Sequence, residues 1–196
     1  MFHLIILCID MAKIELLAPF IFTWEGVWGN DPDDRGGATK YGVTIATWKA
    51  QGYDKDGDGD IDVDDLRKIT IEDATMIMKK NFWDHWKADQ IKDQSLANIL
   101  VDWVWGSGKY GITIPQQLLG VKADGIVGPK TIAALNRQDP QTFFYKVWQR
   151  RKKYLNDICV SRPKNYKFLN GWLRRLQAVQ YGSLTHNTIP AKVVRF

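Results

Sequence analysis

Glu25 has the setting in this chain from which chemistry could be done. It closes an apolar run, Leu16, Leu17, Phe20, Ile21 and Trp24 at helical spacing, and the segment GVWGNDPDDRGGATKYGVT follows it. A carboxyl there sits at a helix C-terminus. The negative end of the helix dipole and the neighbouring Trp24 and Trp28 would both disfavour its anion and raise its pKa. A carboxyl that keeps its proton near neutrality can serve as a general acid. The Gly36-Gly37 pair and Gly42 read as tight turns into short β structure, so a small hairpin should fold back beside the helix end. It would bring Asp33, Asp34 and Thr39 towards Glu25. One acid to protonate a leaving oxygen, and a second group to position water or stabilise an oxocarbenium ion, is the equipment of glycosidic bond hydrolysis. Trp28, beside the acid, is the candidate for a cleft wall because a pyranose face is apolar. The other reading is an exposed glutamate ending a surface helix, followed by an aspartate-capped turn without chemistry.

A second set of oxygens lies in DKDGDGDIDVDD, residues 54–65. Asp54, Asp56 and Asp58 occupy loop positions one, three and five, Gly59 position six, Asp60 seven, Ile61 eight, Asp62 nine and Asp65 twelve. This follows the EF-hand calcium loop, with alternate oxygens converging on one hard cation and a glycine at the sharp bend. The expected ligands are Asp54, Asp56, Asp58, Asp60 and Asp65, and the expected role of the Ca2+ is structural. Asp65 is shorter than the usual glutamate, as in dockerin loops. The competing reading is a solvated acidic turn.

The elements that would position these groups are mostly helical. Thr70 with Asp73 forms a capping box for a helix turning Ala74, Ile77, Met78 and Phe82 inward. Leu96, Ile99, Leu100, Trp103 and Val104 form a strong apolar stripe that stops at Gly106-Ser107-Gly108 and marks a central helix. The glycine break and Ile114-Pro115 mark a boundary between lobes. Gly128-Pro129 opens a short helix to Asn136, and Pro140–Ile158 and Phe168–Val179 read as two longer ones. Trp83, Trp86, Trp103 and Trp105, at helical spacing, read as core before sugar platforms. With 196 residues, 45% hydrophobic and 9 Trp, the chain can bury a full core. The net charge of +5 favours polyanionic surroundings without naming one. Arg150–Lys153 and Arg174-Arg175 read as solvated helix faces, the other reading being contact with teichoic acid, lipid headgroups or the phosphate-rich wall surface. The two cysteines, Cys8 and Cys159, form no CxxC and read as reduced thiols. Three scattered histidines and no nucleophile motif leave a triad hydrolase or an HExxH protease unsupported, and no recognition motif accompanies the basic helices, so nucleic-acid binding is not expected.

The stretch from Glu25 to Thr44, of the form E-G-x-(aromatic)-x-N-D-P-x-D-x-G-G-x-T-x-x-G-(V/I)-T, resembles glycoside hydrolase family 108, the lysozyme-like N-acetylmuramidases once described as secretion activators. LLGVKADGIVGPKTIAAL and FLNGWLRR resemble that family's companion peptidoglycan-binding-type region. The resemblance implies a mainly α, α+β lysozyme-like fold with a hairpin beside the acid. It implies Glu25 as catalytic acid with Asp34 and Thr39 as its neighbours, by analogy with the Glu, Asp, Thr set of phage-type lysozymes, and Trp28, Asn30 and Tyr41 as substrate contacts. Where the family usually has Gly-Gly-Tyr after the glutamate, this chain has Gly26-Val27-Trp28. The implied organisation is a 1–10 extension, read as a start-site artefact, a catalytic region over 11–105 and a helical peptidoglycan-binding-type region over 106–196, packed as one unit. The implied activity is cleavage of the β-1,4 bond between N-acetylmuramic acid and N-acetylglucosamine in peptidoglycan, as a phage-type endolysin or autolysin. The alternative is a silent wall-binding module. The apolar run in MFHLIILCID is too short to span a bilayer and lacks signal-peptide flanks, with a weak export anchor as the rival reading, so synthesis in the bacterial cytoplasm, action at the wall or periplasm, no stable membrane insertion and a monomer are expected.

Overall fold

The computed structural model describes residues 11–29 and 37–196. The N-terminal extension, Asn30, Asp33 and Asp34 therefore lie outside the described residues. Helix α1 (Ile14–Glu25) buries Ile14, Leu17, Phe20, Ile21 and Phe22, and so is apolar around most of its circumference. Gly26, with φ of 86°, ends it in a conformation that favours glycine.

A three-stranded antiparallel ribbon follows: β1 (Trp28–Gly29), β2 (Thr39–Lys40) and β3 (Val43–Thr44), with Trp28 opposite Lys40 and Thr39 opposite Thr44. Tyr41 and Gly42 join β2 to β3 with φ of 52° and 76°. Positive φ at both central residues is what a type I′ hairpin turn requires. The expected hairpin is thus present.

Three short helices come next, α2 (Ile45–Gln51), α3 (Val63–Lys68) and α4 (Ile71–Met78). The capping box of Thr70 and Asp73 opens α4 as its sequence implies. A π-helical turn (Lys79–Trp83) and two 3-10 turns lead to α5 (Gln94–Ser107), in which every residue from Ser95 to Val104 is buried. This is the central helix. Trp83, Trp86 and Trp103 are fully buried around it, so these three indoles are core.

Helix α6 (Tyr110–Leu118) runs through Ile114-Pro115, the pair that with the glycine break was expected to mark a boundary between lobes. Pro115 has no N–H to offer the Gly111 carbonyl one turn back, a loss that normally interrupts a helix. Here the Trp86 indole N–H donates to that carbonyl at 3.1 Å and takes the place of the missing bond. Helices α7 (Pro129–Asn136), α8 (Pro140–Ser161) and α9 (Tyr166–Gln177) follow.

The sequence reading carried no strand beyond α9, yet a second antiparallel sheet forms there: β4 (Val179–Gln180), β5 (Ser183–His186) and β6 (Lys192–Arg195). It returns the chain to α1, where the Trp24 indole N–H donates to the Thr185 carbonyl and the Asn187 N–H to the Thr23 hydroxyl. No described helix is long and apolar enough to cross a membrane.

This return buries His186 against Phe20, edge to face at 6.3 Å, and leaves its Nε2 buried without a partner. Burial, with the Lys192 charge adding, pushes its pKa below the ordinary 6.5. An unfolded chain then binds a proton that the folded one refuses, so stability declines as pH falls from 6.5 through the lowered folded value. The melting temperature should be lower at about pH 5.5 than at about pH 7.5, and His186→Phe should shrink that difference. An equal difference in both proteins would remove His186 as its source.

Candidate active site

Glu25 lies at the mouth of a cleft of about 270 Å3 whose other walls are Trp105, Gly106, Ser107, Arg151, Leu155, Ile158, Trp172 and Arg175. Helix α1 supplies the carboxyl, the end of α5 supplies Trp105 to Ser107, and α8 and α9 supply the rest. The Glu25 Oε1 accepts from the Trp105 indole at 2.8 Å and from Arg175 Nη1 at 2.6 Å. This corrects the apolar setting expected from Trp24 and Trp28. The Trp24 indole is turned to Thr185 and lies under Arg174, and the Trp28 ring is exposed beneath Arg67. The tryptophan that meets the acid comes from α5, 80 residues away in sequence.

Arg175 does not stand alone. Its Nε and Nη2 donate to Oδ1 of Asp102 at 3.1 and 2.8 Å, while Arg151 Nη1 donates to Oδ2 at 2.7 Å and Nη2 to the Asp102 carbonyl at 3.3 Å. Asp102 is fully buried and Arg151 nearly so. Asp102 thus meets two guanidiniums, one of which also reaches the Glu25 carboxyl, and pairing of this kind lets charges persist inside a core. Burial alone would push the Asp102 carboxyl up, but the Arg175 and Arg151 charges outweigh it and hold it below the usual carboxylate range. Of the two basic clusters read as solvated faces, Arg151 and Arg175 turn inward. The signal was in the sequence, since Asp102 interrupts the most apolar stripe of the chain, and a carboxylate there demands cations.

The ribbon abuts the same spot. A Cβ on Gly42 would lie 2.6 Å from the Trp105 ring and 3.2 Å from Cγ of Glu25, so only glycine lets the β2–β3 turn reach the acid. Thr39 stands on β2 opposite Gly29, whose missing side chain leaves room for the Thr39 hydroxyl. Tyr41 packs its ring on Phe22 at 5.6 Å and donates its N–H to the Val27 carbonyl. Asp33 and Asp34, expected beside Glu25, and Asn30, expected as a substrate contact, lie outside the described residues.

In the acidic loop, Asp54, Asp56 and Asp65 each place an oxygen within 4.8 Å of the others, as do Asp60, Asp62 and Asp65. Asp58 belongs to neither group, and its Oδ1 accepts from the Asp60 N–H at 3.1 Å. Asp65 accepts from the N–H groups of Lys55, Asp56 and Asp62, which lets it close the loop and cap α3 at once. The Asp58 charge pushes the exposed Asp60 carboxyl above its ordinary value, with slight desolvation and the charges of Asp62 and Asp65 adding. Asp56 Oδ1 is buried without a partner, although its Oδ2 pairs with Lys68 at 2.7 Å. A buried carboxylate oxygen left unmatched among crowded acids fits a hard cation.

A mainly helical α+β architecture, with a hairpin ribbon and a cleft beside a helix-terminal glutamate, is that of a lysozyme-like protein. Residues 18–108 match the family model described as Glycosyl hydrolase 108, and residues 110–177 match the one described as Predicted Peptidoglycan domain. Carrying both in that order, the chain belongs to the glycosyl hydrolase 108 family of glycoside hydrolases. Among solved structures it is similar to that of Brucella abortus SagA, at 25% identity over 85% of this chain and 90% of that one, with a TM-score of 0.66. No curated protein matches it.

Proposed function

We propose that this glycoside hydrolase is an N-acetylmuramidase that cuts the β-1,4 bond between N-acetylmuramic acid and N-acetylglucosamine, as a monomeric phage-type endolysin or autolysin acting at the wall or periplasm. The observation that carries the reading is Glu25 at the mouth of a cleft walled by both matched regions. Its two oxygens are not equivalent. Oε1 takes both the Trp105 and the Arg175 hydrogen bonds, while Oε2 takes none among the described residues. Oε2 is therefore the oxygen on which a proton is carried to the leaving sugar. Once that proton is given, the new carboxylate already has its indole and guanidinium donors in place, so no reorganisation is needed. Asp34, or a water ordered by Asp34 and Thr39, then handles the anomeric carbon.

Digestion of purified peptidoglycan, with reducing ends labelled and fragments weighed by mass spectrometry, tests the reading. Reducing muramic acid is the expected product. Reducing glucosamine would reassign the bond, and intact glycan that still pellets with the protein would make the chain a silent binding module.

We propose further that the 54–65 loop holds a structural calcium ion through Asp54, Asp56, Asp60 and Asp65, with Asp58 as a contributor if it leaves the Asp60 N–H. The ion would neutralise the crowded carboxylates and pin the insertion between the ribbon and α4. At a calcium concentration about 100 times the Kd the folded state should gain roughly 2.7 kcal/mol, seen as a higher melting temperature that a chelator reverses. No heat of binding in a calorimetric titration, with a melting temperature indifferent to calcium, would leave the loop as an acidic turn.

A further inference from the structure

The C-terminal half carries a second concavity, of about 440 Å3, between the first half of α8, the end of α9 and β4. It shares no lining residue with the Glu25 cleft. On α8 its last contributor is Gln149, whereas the cleft begins at Arg151. Tyr145 and Leu155, one in each, are separated by roughly 15 Å of helix rise.

Four aromatic side chains line it, Phe144, Tyr145, Trp148 and Tyr181, and Phe144 is fully buried. The Trp148 indole donates to the Leu176 carbonyl at 3.1 Å. The Tyr181 hydroxyl donates to Asp93 at 3.0 Å, and its ring meets Phe144 edge-on, as Tyr145 does from the other side. The polar groups between the rings are the amides of Gln149, Gln177 and Gln180. Among the described residues the Gln149 and Gln177 side chains have no hydrogen-bond partner, and the Gln180 amide reaches only the Gln177 carbonyl, at 3.5 Å. These amides are open to a ligand.

The lining has no Asp, Glu, Lys or Arg, although Lys152 places its amine over the Trp148 ring. Burial, reinforced by Asp93, pushes the Tyr181 phenol up to about 12, so it too stays neutral. The surrounding helix bears Lys146, Arg150 and Lys153, none of which enters the groove. Phosphate-rich or carboxylate-rich wall components would be met by those cations. Fixed rings with neutral donors and acceptors suit a ligand that is apolar on its flat faces and polar at its edges, and a volume of this size holds a small ligand or a short stretch of polymer.

We propose that this groove binds a neutral segment of β-1,4-linked N-acetylated glycan and holds the polymer apart from the cleft. The inference rests on the muramidase reading only for the identity of the polymer. A second contact on the same strand raises the local concentration of scissile bonds at Glu25 without touching the reacting sugar.

The test uses the full chain. With Glu25→Gln, titration of a soluble β-1,4-linked N-acetylglucosamine tetramer should shift the NMR signals of the Trp148 indole and of the Gln149 and Gln177 amides. With the otherwise unaltered enzyme, Tyr145→Ala combined with Gln149→Ala should weaken binding to insoluble β-1,4-linked N-acetylglucosamine polymer, which carries no carboxylate, about tenfold, while turnover of a soluble peptidoglycan tetrasaccharide stays as it was. Unmoved groove signals at saturation, unchanged retention on insoluble glycan, or an equal loss on the soluble substrate would each overturn the proposal. Shifted groove signals in the Glu25→Gln chain, beside a parent that cuts no glycan, would sink the muramidase reading and leave the groove standing.

Discussion

Glu25→Gln should lower kcat on peptidoglycan by about 10²- to 10⁴-fold and leave the fold and the affinity for glycan close to those of the parent. The amide oxygen can still accept from the Trp105 indole and Arg175, which hold Oε1 in the parent, so the site keeps its donors. What it loses is the proton that the leaving oxygen requires, since an amide cannot supply one at neutral pH. Rate and affinity therefore separate in this variant, as they do when an interaction made only in the transition state is removed. Reducing-end assays under single-turnover conditions, beside pelleting with insoluble glycan, would show it. Turnover within about tenfold of the parent would mean that another group protonates the leaving sugar, and the cleft would need a different acid.

Much of this arrangement was legible in the sequence, and the parts that were not share a cause. Helix α1 ending at Glu25, the I′ hairpin at Tyr41-Gly42, the capping box of α4 and the buried face of α5 are local, each written in the spacing of a few neighbours. The partners of Glu25 are not local. Trp105 and Arg175 lie 80 and 150 residues away, and nothing in the Arg174-Arg175 pair tells which member turns inward. How Pro115 sits inside a helix is likewise not local, since a distant indole takes the place of the hydrogen bond it cannot make. The short strands after α9 have too few residues for an alternating pattern to rise above chance, and their pairing depends on the return to α1. Asp102 is the instructive case. Its identity in an apolar stripe announced a buried charge, and only the fold could say that two arginines of the C-terminal region answer it.

Asp102→Ala should destabilise the protein by about 3–5 kcal/mol, the cost expected when one partner of a fully buried ion pair is removed and the others stay charged. Arg151 and Arg175 would then face the vacated position without the carboxylate they share, and the Glu25 carboxyl reaches only Arg175. The loss should appear as a lower denaturant midpoint with little change in slope. Asp102→Asn keeps an acceptor and should cost less. Acidity offers an independent check of sign: a carboxyl held below its ordinary value contributes stability above the unfolded pKa of about 3.9, and that contribution is lost as pH falls through the lower folded value. The parent should therefore lose stability more steeply below about pH 4 than the alanine variant, which has no carboxyl to titrate there. Activity adds the functional consequence. Arg175 loses the anchor that orients it towards Glu25, so turnover by the folded fraction should fall while the Glu25 carboxyl remains. A destabilisation below about 1 kcal/mol, with unchanged turnover, would mean that water or a shifted side chain satisfies both arginines and that the link between the two regions does not depend on this charge.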